Sequence, residues 1–233
     1  MASSLLENIT SLLPLHQVPL CEGLLDSSEV LAALKGMSKN KSPGSDGLPA
    51  EFYLRFWDVL GSDLTEILNE AYRSASFSLS QRSGLISLIY KKGDHFSRKN
   101  WRPITLLNVD YKLCACTLAG RLLKVLHFVV ALDQTYGVPG RYIGKNIAAY
   151  ASESNCPLAI PSLDQEKVFD RVDWSFLYST LSKMGFGPSF IWWVQLLYSA
   201  IGALFLLTAI LLSLSSLLQG FDRFVLCLPY CTF

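Results

Sequence analysis

Charge is scarce in this chain of 233 residues: Asp, Glu, Lys and Arg together make up 17% of it, against 51% hydrophobic residues. The shortage is local, because no charged side chain occurs from residue 184 to residue 221. Histidine and methionine are sparse as well, at three each. The six cysteines (Cys21, Cys114, Cys116, Cys156, Cys227 and Cys231) lack the paired spacing of a zinc site, which leaves free thiols in a reducing compartment as the expectation. The first residues, MASSLLENIT, carry neither the basic flank nor the apolar run of a signal peptide, so a cytoplasmic or nuclear location is expected. There is no internal repeat and no low-complexity linker.

A net charge of +1 conceals an uneven distribution. Residues 1–71 sum to −6, residues 72–125 to +8 and residues 126–233 to −1. A basic middle segment suits a polyanionic partner, since Lys and Arg displace counterions from phosphates. The same charge also fits a solvated surface balancing the acidic first third.

Local patterns divide the chain into elements. Asp26-Ser-Ser-Glu29 reads as a capping box, followed by an amphipathic helix over 27–38. Residues 40–47 form a turn-rich loop. Pro49 opens a helix that Gly61 is expected to stop, and Ser62 then caps another through about Ser74. Residues 84–90 (GLISLIY) read as a strand, 91–94 as a turn and 104–107 as the returning strand. Helices are expected over 110–126 and over 174–184, the latter ended by Gly185. A buried strand is expected over 157–163, interrupted by Pro161.

Four words of sequence then occur in order: NKSPGSDGLPAEFYL (40–54), LISLIYKKGD (85–94), NWRPITLLNVDYKL (100–113) and LDQEKVFDRVDW (163–174). Together they resemble the reverse transcriptases of non-long-terminal-repeat (LINE-like) retrotransposons, over about residues 5–199. The resemblance implies an RNA-directed DNA polymerase domain, with an RNA template, a DNA primer and Mg²⁺. Such an enzyme joins a 3′-hydroxyl to an α-phosphate while two metal ions stabilise the attacking and leaving oxygens, which calls for carboxylates in octahedral reach. On this resemblance Asp164 is the first metal-binding and catalytic aspartate, and the Gln165 backbone carbonyl is a neighbouring ligand. Phe169 is the aromatic beneath the sugar, and Lys91, Lys92 and Arg102 grip the nucleotide phosphates. Apart from the resemblance, Asp164, Glu166 and Asp170 read as acids at a helix start, favoured by the dipole. Lys91 and Lys92 read as a solvated turn, Arg102 as a structural ion-pair partner, and Trp101 and Phe169 as core.

The pattern also breaks. The RQG loop and Asp-Asp hairpin that the family carries after this point are not recognisable after Ser199, where an apolar stretch begins. With codons the genetic code allows, residues 220–233 read one base out of register give VRQVCPLSPLLYV, close to the missing loop, so the tail is expected to be frameshifted. Cys116 and Trp192 stand where related sequences carry Arg, Val168 where they carry Ala, and about two helical turns are missing between Tyr150 and Ala151.

The resulting expectation is an α/β (α+β) chain. It comprises an N-terminal leader (1–26), a fingers-like region (27–156), a truncated palm (157–199) and a hydrophobic tail (200–233) not selected to pack. Function is expected to be that of an inactive remnant with weak, non-specific nucleic-acid binding, Trp101 offering a stacking surface. The alternative is a membrane or interaction protein using residues 190–218 as a transmembrane helix.

Overall fold

The computed structural model describes residues 6–97, 100–135, 137–153, 172–199, 202–207 and 210–212. It is α+β and rich in helix, with a four-stranded sheet among the described residues. Two compact units divide the chain. One holds residues 1–23 and 119–191, the other residues 24–118 and 192–233, so the chain passes between them three times, twice within a helix.

The second unit starts at α1 (Ser27–Gly36), where the expected capping box forms. The Ser28 amide donates to Asp26 Oδ2 at 2.9 Å, and the Asp26 amide donates to Glu29 Oε1 at 2.7 Å. A short α2 (Ala50–Arg55) follows Pro49, and α3 runs over Trp57–Arg73. Gly61 therefore lies inside a helix instead of ending one, and Ser62 caps nothing. The reason is packing: a Cβ on Gly61 would lie 2.5 Å from the Trp57 ring, so glycine here makes room for the indole one turn earlier. Buried Asn69 on α3 ties in the chain before α1, accepting from the Leu25 amide at 2.8 Å and donating to the Leu25 carbonyl at 3.0 Å. A one-turn α4 (Leu79–Arg82) has its own capping box, Ser78 with Gln81.

The sheet order is β2-β1-β3-β4. Strand β1 (Ser83–Tyr90) pairs antiparallel with β2 (Trp101–Leu107), from Gly84↔Leu107 to Tyr90↔Trp101. The returning strand is longer than its apolar residues suggested. Its Pro103, which has no N–H to give to a ladder, is tolerated because β2 lies at the sheet edge.

Strand β3 (Gly202–Leu207) pairs parallel with β1 from Ser83↔Gly202 to Ile86↔Phe205, and β4 (Ile210–Leu212) pairs back on β3. Residues 190–218 are thus not one helix. The helix α8 (Pro188–Leu197) ends and strands follow. Among the described residues no helix is long and apolar enough to cross a membrane. The described part of the expected tail, far from lying unpaired, supplies two strands of the sheet.

The long α5 (Val109–Val129) contributes its first half to this unit. Phe77 meets Tyr111 edge-on at 5.1 Å, and the Tyr111 hydroxyl donates to the Leu197 carbonyl. Fully buried Trp193 packs on Tyr72 with ring centres 4.6 Å apart. Cys116 and Trp192, read from the sequence as replacements of arginine, also lie in this unit. Cys116 is buried, and the Trp192 indole N–H donates to the Tyr72 carbonyl at 3.2 Å.

At the junction of β2 and α5 stands Asn108, with no exposed surface. Its Oδ1 accepts from the Asp46 amide at 3.3 Å and from the Ser45 hydroxyl at 3.4 Å. Its Nδ2 donates to the Ser80 carbonyl and hydroxyl, both at 3.1 Å. The loop over 40–47 is thereby fastened to the base of the β1–β2 hairpin. Gly44 is required for the approach, since a Cβ there would stand 2.5 Å from the Asn108 amide nitrogen.

The first unit includes part of the expected leader, which is built into its core. Leu13 and Cys21 are buried, and the Leu13 amide donates to the Met184 carbonyl at 2.7 Å. Burial pushes the Cys21 thiol up to about 11, so the group stays protonated and inert at neutral pH. The Arg121 guanidinium, 5% exposed, donates to the carbonyls of Cys21, Glu22 and Gly23 at 3.1, 3.3 and 2.9 Å. Glu22 caps α8 from far away in sequence, its carboxylate accepting from the Ser189 and Phe190 amides at 3.1 and 3.0 Å. The helix expected over 174–184 is α7 (Trp174–Lys183), capped by Asp173 and left through Gly185 at φ +90°. The helix α6 (Ile143–Glu153) runs unbroken across Tyr150 and Ala151, where the deletion was inferred.

Two outcomes follow from the Asn108 junction. Asn108→Ala should cost about 2 kcal/mol, because it leaves buried donors and acceptors unmatched. Urea unfolding followed by tryptophan fluorescence measures this, and an unchanged midpoint would show the junction to be dispensable. Next to it, burial raises the Asp110 carboxyl above its ordinary 3.8, with the nearby Asp46 charge adding and the Tyr111 amide opposing. A raised carboxyl pKa means that folding favours the protonated form. That stability is present at acid pH and is lost as pH rises through the folded-state value. Asp110→Asn should therefore gain melting temperature relative to the native chain as the pH is raised from the acid side to neutral. A gap that shrinks instead would reverse the sign.

Candidate nucleic-acid interface

The β1–β2 hairpin carries the described members of the expected phosphate-gripping set. Beyond Ile86, β1 has β2 as its only partner strand among the described residues, because the pairing with β3 stops there. Both faces of the distal half are open. Leu88 and Ile89, which point to opposite sides of the ribbon, are both exposed.

The described residues of the turn that joins the strands are held by hydrogen bonds. The Lys91 amide donates to the Asn100 carbonyl at 2.7 Å, closing the ribbon. The Asn100 side chain donates to the Asp94 carbonyl at 2.8 Å, and Asp94 Oδ1 accepts from the Phe96 amide at 2.9 Å. Gly93 adopts φ +96°, and a Cβ on it would stand 2.6 Å from the Asn100 amide group.

Three rings brace the turn from within. Tyr90 and His95 stack at 3.9 Å with an interplanar angle of 12°. Trp101 meets Tyr90 edge-on at 5.4 Å and His95 at 6.0 Å. The Trp101 indole N–H donates to the His95 carbonyl at 2.9 Å, and the Tyr90 hydroxyl donates to the Gly93 carbonyl.

Lys91, Lys92 and Arg102 are all exposed, and none is in an ion pair among the described residues. Arg102 pairs across the ribbon with Ile89, and Lys91 and Lys92 directly follow Tyr90. The structure thus brings the three cations to one projecting hairpin, and the structural-ion-pair alternative for Arg102 is not realised within it. Asp164, Gln165 and Phe169, the remaining site residues read from the sequence, lie outside the described residues.

Among the described residues, no group of three or more His, Cys, Asp and Glu side chains is placed to hold a metal ion. The donor chemistry of Asp164 and the Gln165 carbonyl is all oxygen, which is the kind magnesium takes.

Residues 89–219 match the family described as "Reverse transcriptase (RNA-dependent DNA polymerase)". The chain belongs to the reverse transcriptase family. The matched span opens inside β1, just before Lys91, and continues past Ser199 to Gln219. The resemblance therefore does not stop at Ser199 as the motifs suggested, and β3 and β4 lie within the family's own span. Over 178 residues, 74% of this reverse transcriptase chain, there is 44% identity to the Transposon TX1 uncharacterized 149 kDa protein of Xenopus laevis. That kinship agrees with the LINE-like character of the four sequence words. The chain covers 14% of the length of this relative.

The sequence reading missed the aromatic bracing of the turn and its tip. Tyr90, His95, Phe96 and Trp101 lie within thirteen residues that also hold six of the chain's basic and acidic groups, Lys91, Lys92, Asp94, Arg98, Lys99 and Arg102. Interleaved rings and cations of that density are the available signal.

Proposed function

We propose that these 233 residues form nucleic-acid-binding fingers and part of the palm of a retrotransposon reverse transcriptase, and that by themselves they hold nucleic acid without polymerising it. The observation that carries the binding half is the set of exposed cations Lys91, Lys92 and Arg102, in no ion pair among the described residues, on a hairpin whose distal half is exposed on both faces. Their ligands are phosphate oxygens. The arginine offers a bidentate fork and the lysines offer point charges, with no sequence information read.

The second half rests on the carboxylates. Asp164 with the Gln165 carbonyl would hold Mg²⁺, which supplies stabilisation of the attacking and leaving oxygens when bound. Transfer needs further carboxylates at the same metals, and the sequence contains no Asp-Asp pair to provide them. Pro161 before Asp164 and Val168 before Phe169 weigh the same way. In a strand, Pro161 would remove a ladder hydrogen bond.

Primer extension on an RNA template with Mg²⁺ or Mn²⁺ should give no product. Extension that disappears in Asp164→Ala would overturn the inactive reading. Binding should weaken steeply as salt rises. The combined change of Lys91, Lys92 and Arg102 to Ala should flatten the salt dependence by roughly one unit of slope for each lost phosphate contact. Affinity indifferent to salt, or untouched by the triple change, would remove the hairpin from the interface.

A further inference from the structure

Trp101 was the stacking surface suggested by the sequence, and its surroundings argue against that role. Its ring is half-buried, meets Tyr90 and His95 edge-on, and has its N–H committed to the His95 carbonyl. Tyr90 and His95 are stacked on each other. One aromatic in the turn is left over. Phe96 is 97% exposed and has no ring partner among the described residues.

The described residues around Phe96 are hydrogen-bonded to one another. The Phe96 backbone is pinned by the Asp94 carboxylate. The Ser97 amide donates to the Asp94 carbonyl at 3.2 Å, and the Asn100 amide donates to the Ser97 carbonyl at 3.0 Å. An apolar ring is thus held fully in water on a braced turn, next in sequence to a stacked pair of rings and flanked by Lys91, Lys92 and Arg102.

We propose that Phe96 is a stacking platform for an unpaired base of an RNA strand, the cations holding the phosphates on either side. The proposal rests on the nucleic-acid-binding reading above. It adds that the hairpin distinguishes single strands from duplex. Stacking on an aromatic ring needs a base with a free face, which an unpaired strand offers and a duplex interior does not. Phosphate contacts are made to both. The RNA strand is chosen over DNA because the family this chain belongs to copies RNA.

The test uses fluorescence anisotropy on the full chain. The probes are a labelled single-stranded RNA, its duplex, an abasic RNA strand of equal length and a DNA strand of the same sequence. Phe96→Ala should lower affinity for the single-stranded RNA about tenfold. It should leave the duplex, the abasic strand and the salt slope as they were, and Phe96→Tyr should restore most of the loss. Because the side chain is exposed, the change should not move the unfolding midpoint.

An equal loss on all probes, no loss on RNA, or a loss on DNA alone overturns the assignment of Phe96 while leaving phosphate binding by the cations intact. A native chain that binds none of the probes overturns the nucleic-acid reading itself. Self-association that Phe96→Ala abolishes, seen by sedimentation, would give the ring to a second copy and also overturns the proposal.

Discussion

A single buried carboxamide organises the half of the chain that carries the hairpin. Asn108 sits where an edge strand becomes a helix, a place where backbone groups run out of regular partners. Its oxygen takes the donors of the loop over 40–47, and its nitrogen takes the acceptors of the turn at Ser80. Both ends of the amide are therefore spent on joining two segments more than thirty residues apart in sequence. Gly44 completes the arrangement by offering no side chain at the point of closest approach. Tyr53, buried in the same unit, is pushed up to about 12, by burial first and then by the charges of Asp110 and Asp46, which keeps its hydroxyl protonated.

From that anchored base the hairpin changes character along its length. Near Gly84 and Ile86 it is a member of a wider sheet and part of the core. Beyond Ile86 it loses one neighbour strand and both faces reach solvent. A two-stranded ribbon is marginal in water unless something else holds it. Here the Tyr90, His95 and Trp101 rings and the hydrogen bonds of Asp94 and Asn100 take over the role that a third strand plays lower down. The aromatic content of the turn is consumed in bracing, and for that reason the one unused ring is conspicuous.

Local signals were legible in the sequence wherever the physics was local. The capping box at Asp26 and Glu29, the strand over 84–90, the long helix after Asp110 and the glycine after α7 all follow from residues within a turn of one another. The box at Ser78 and Gln81 was equally available and equally local. What the sequence concealed were arrangements set at a distance. Gly61 looks like a stop until the Trp57 indole is seen to need its space. The apolar stretch after Phe190 has the hydropathy of a membrane helix, yet within it lie two strands, one of which pairs with β1. The cations of the hairpin were singled out through family resemblance, whereas the spent state of Trp101 depends on ring geometry that no spacing rule conveys. Asp164, Gln165 and Phe169 lie outside the described residues, so their part of the reading rests on the motif alone.

The first unit is closed by contacts between its two ends. Glu22 and Gly23 bond to Ser189 and Phe190 across 166 to 168 residues of sequence, and Leu13 bonds to Met184. Loop closure of that span must precede the reward of the contacts it permits, so folding of this unit is governed by long-range encounter. During synthesis the segment around Cys21 leaves the ribosome long before its partners on α8 exist. Until they arrive, Leu13 and Cys21 have no core to enter and the carboxylate of Glu22 has no helix to cap. The opening stretch of the chain must then wait, exposed, for about the time needed to translate the rest of the unit, roughly ten to thirty seconds at typical elongation rates. During that interval it is a natural substrate for chaperones.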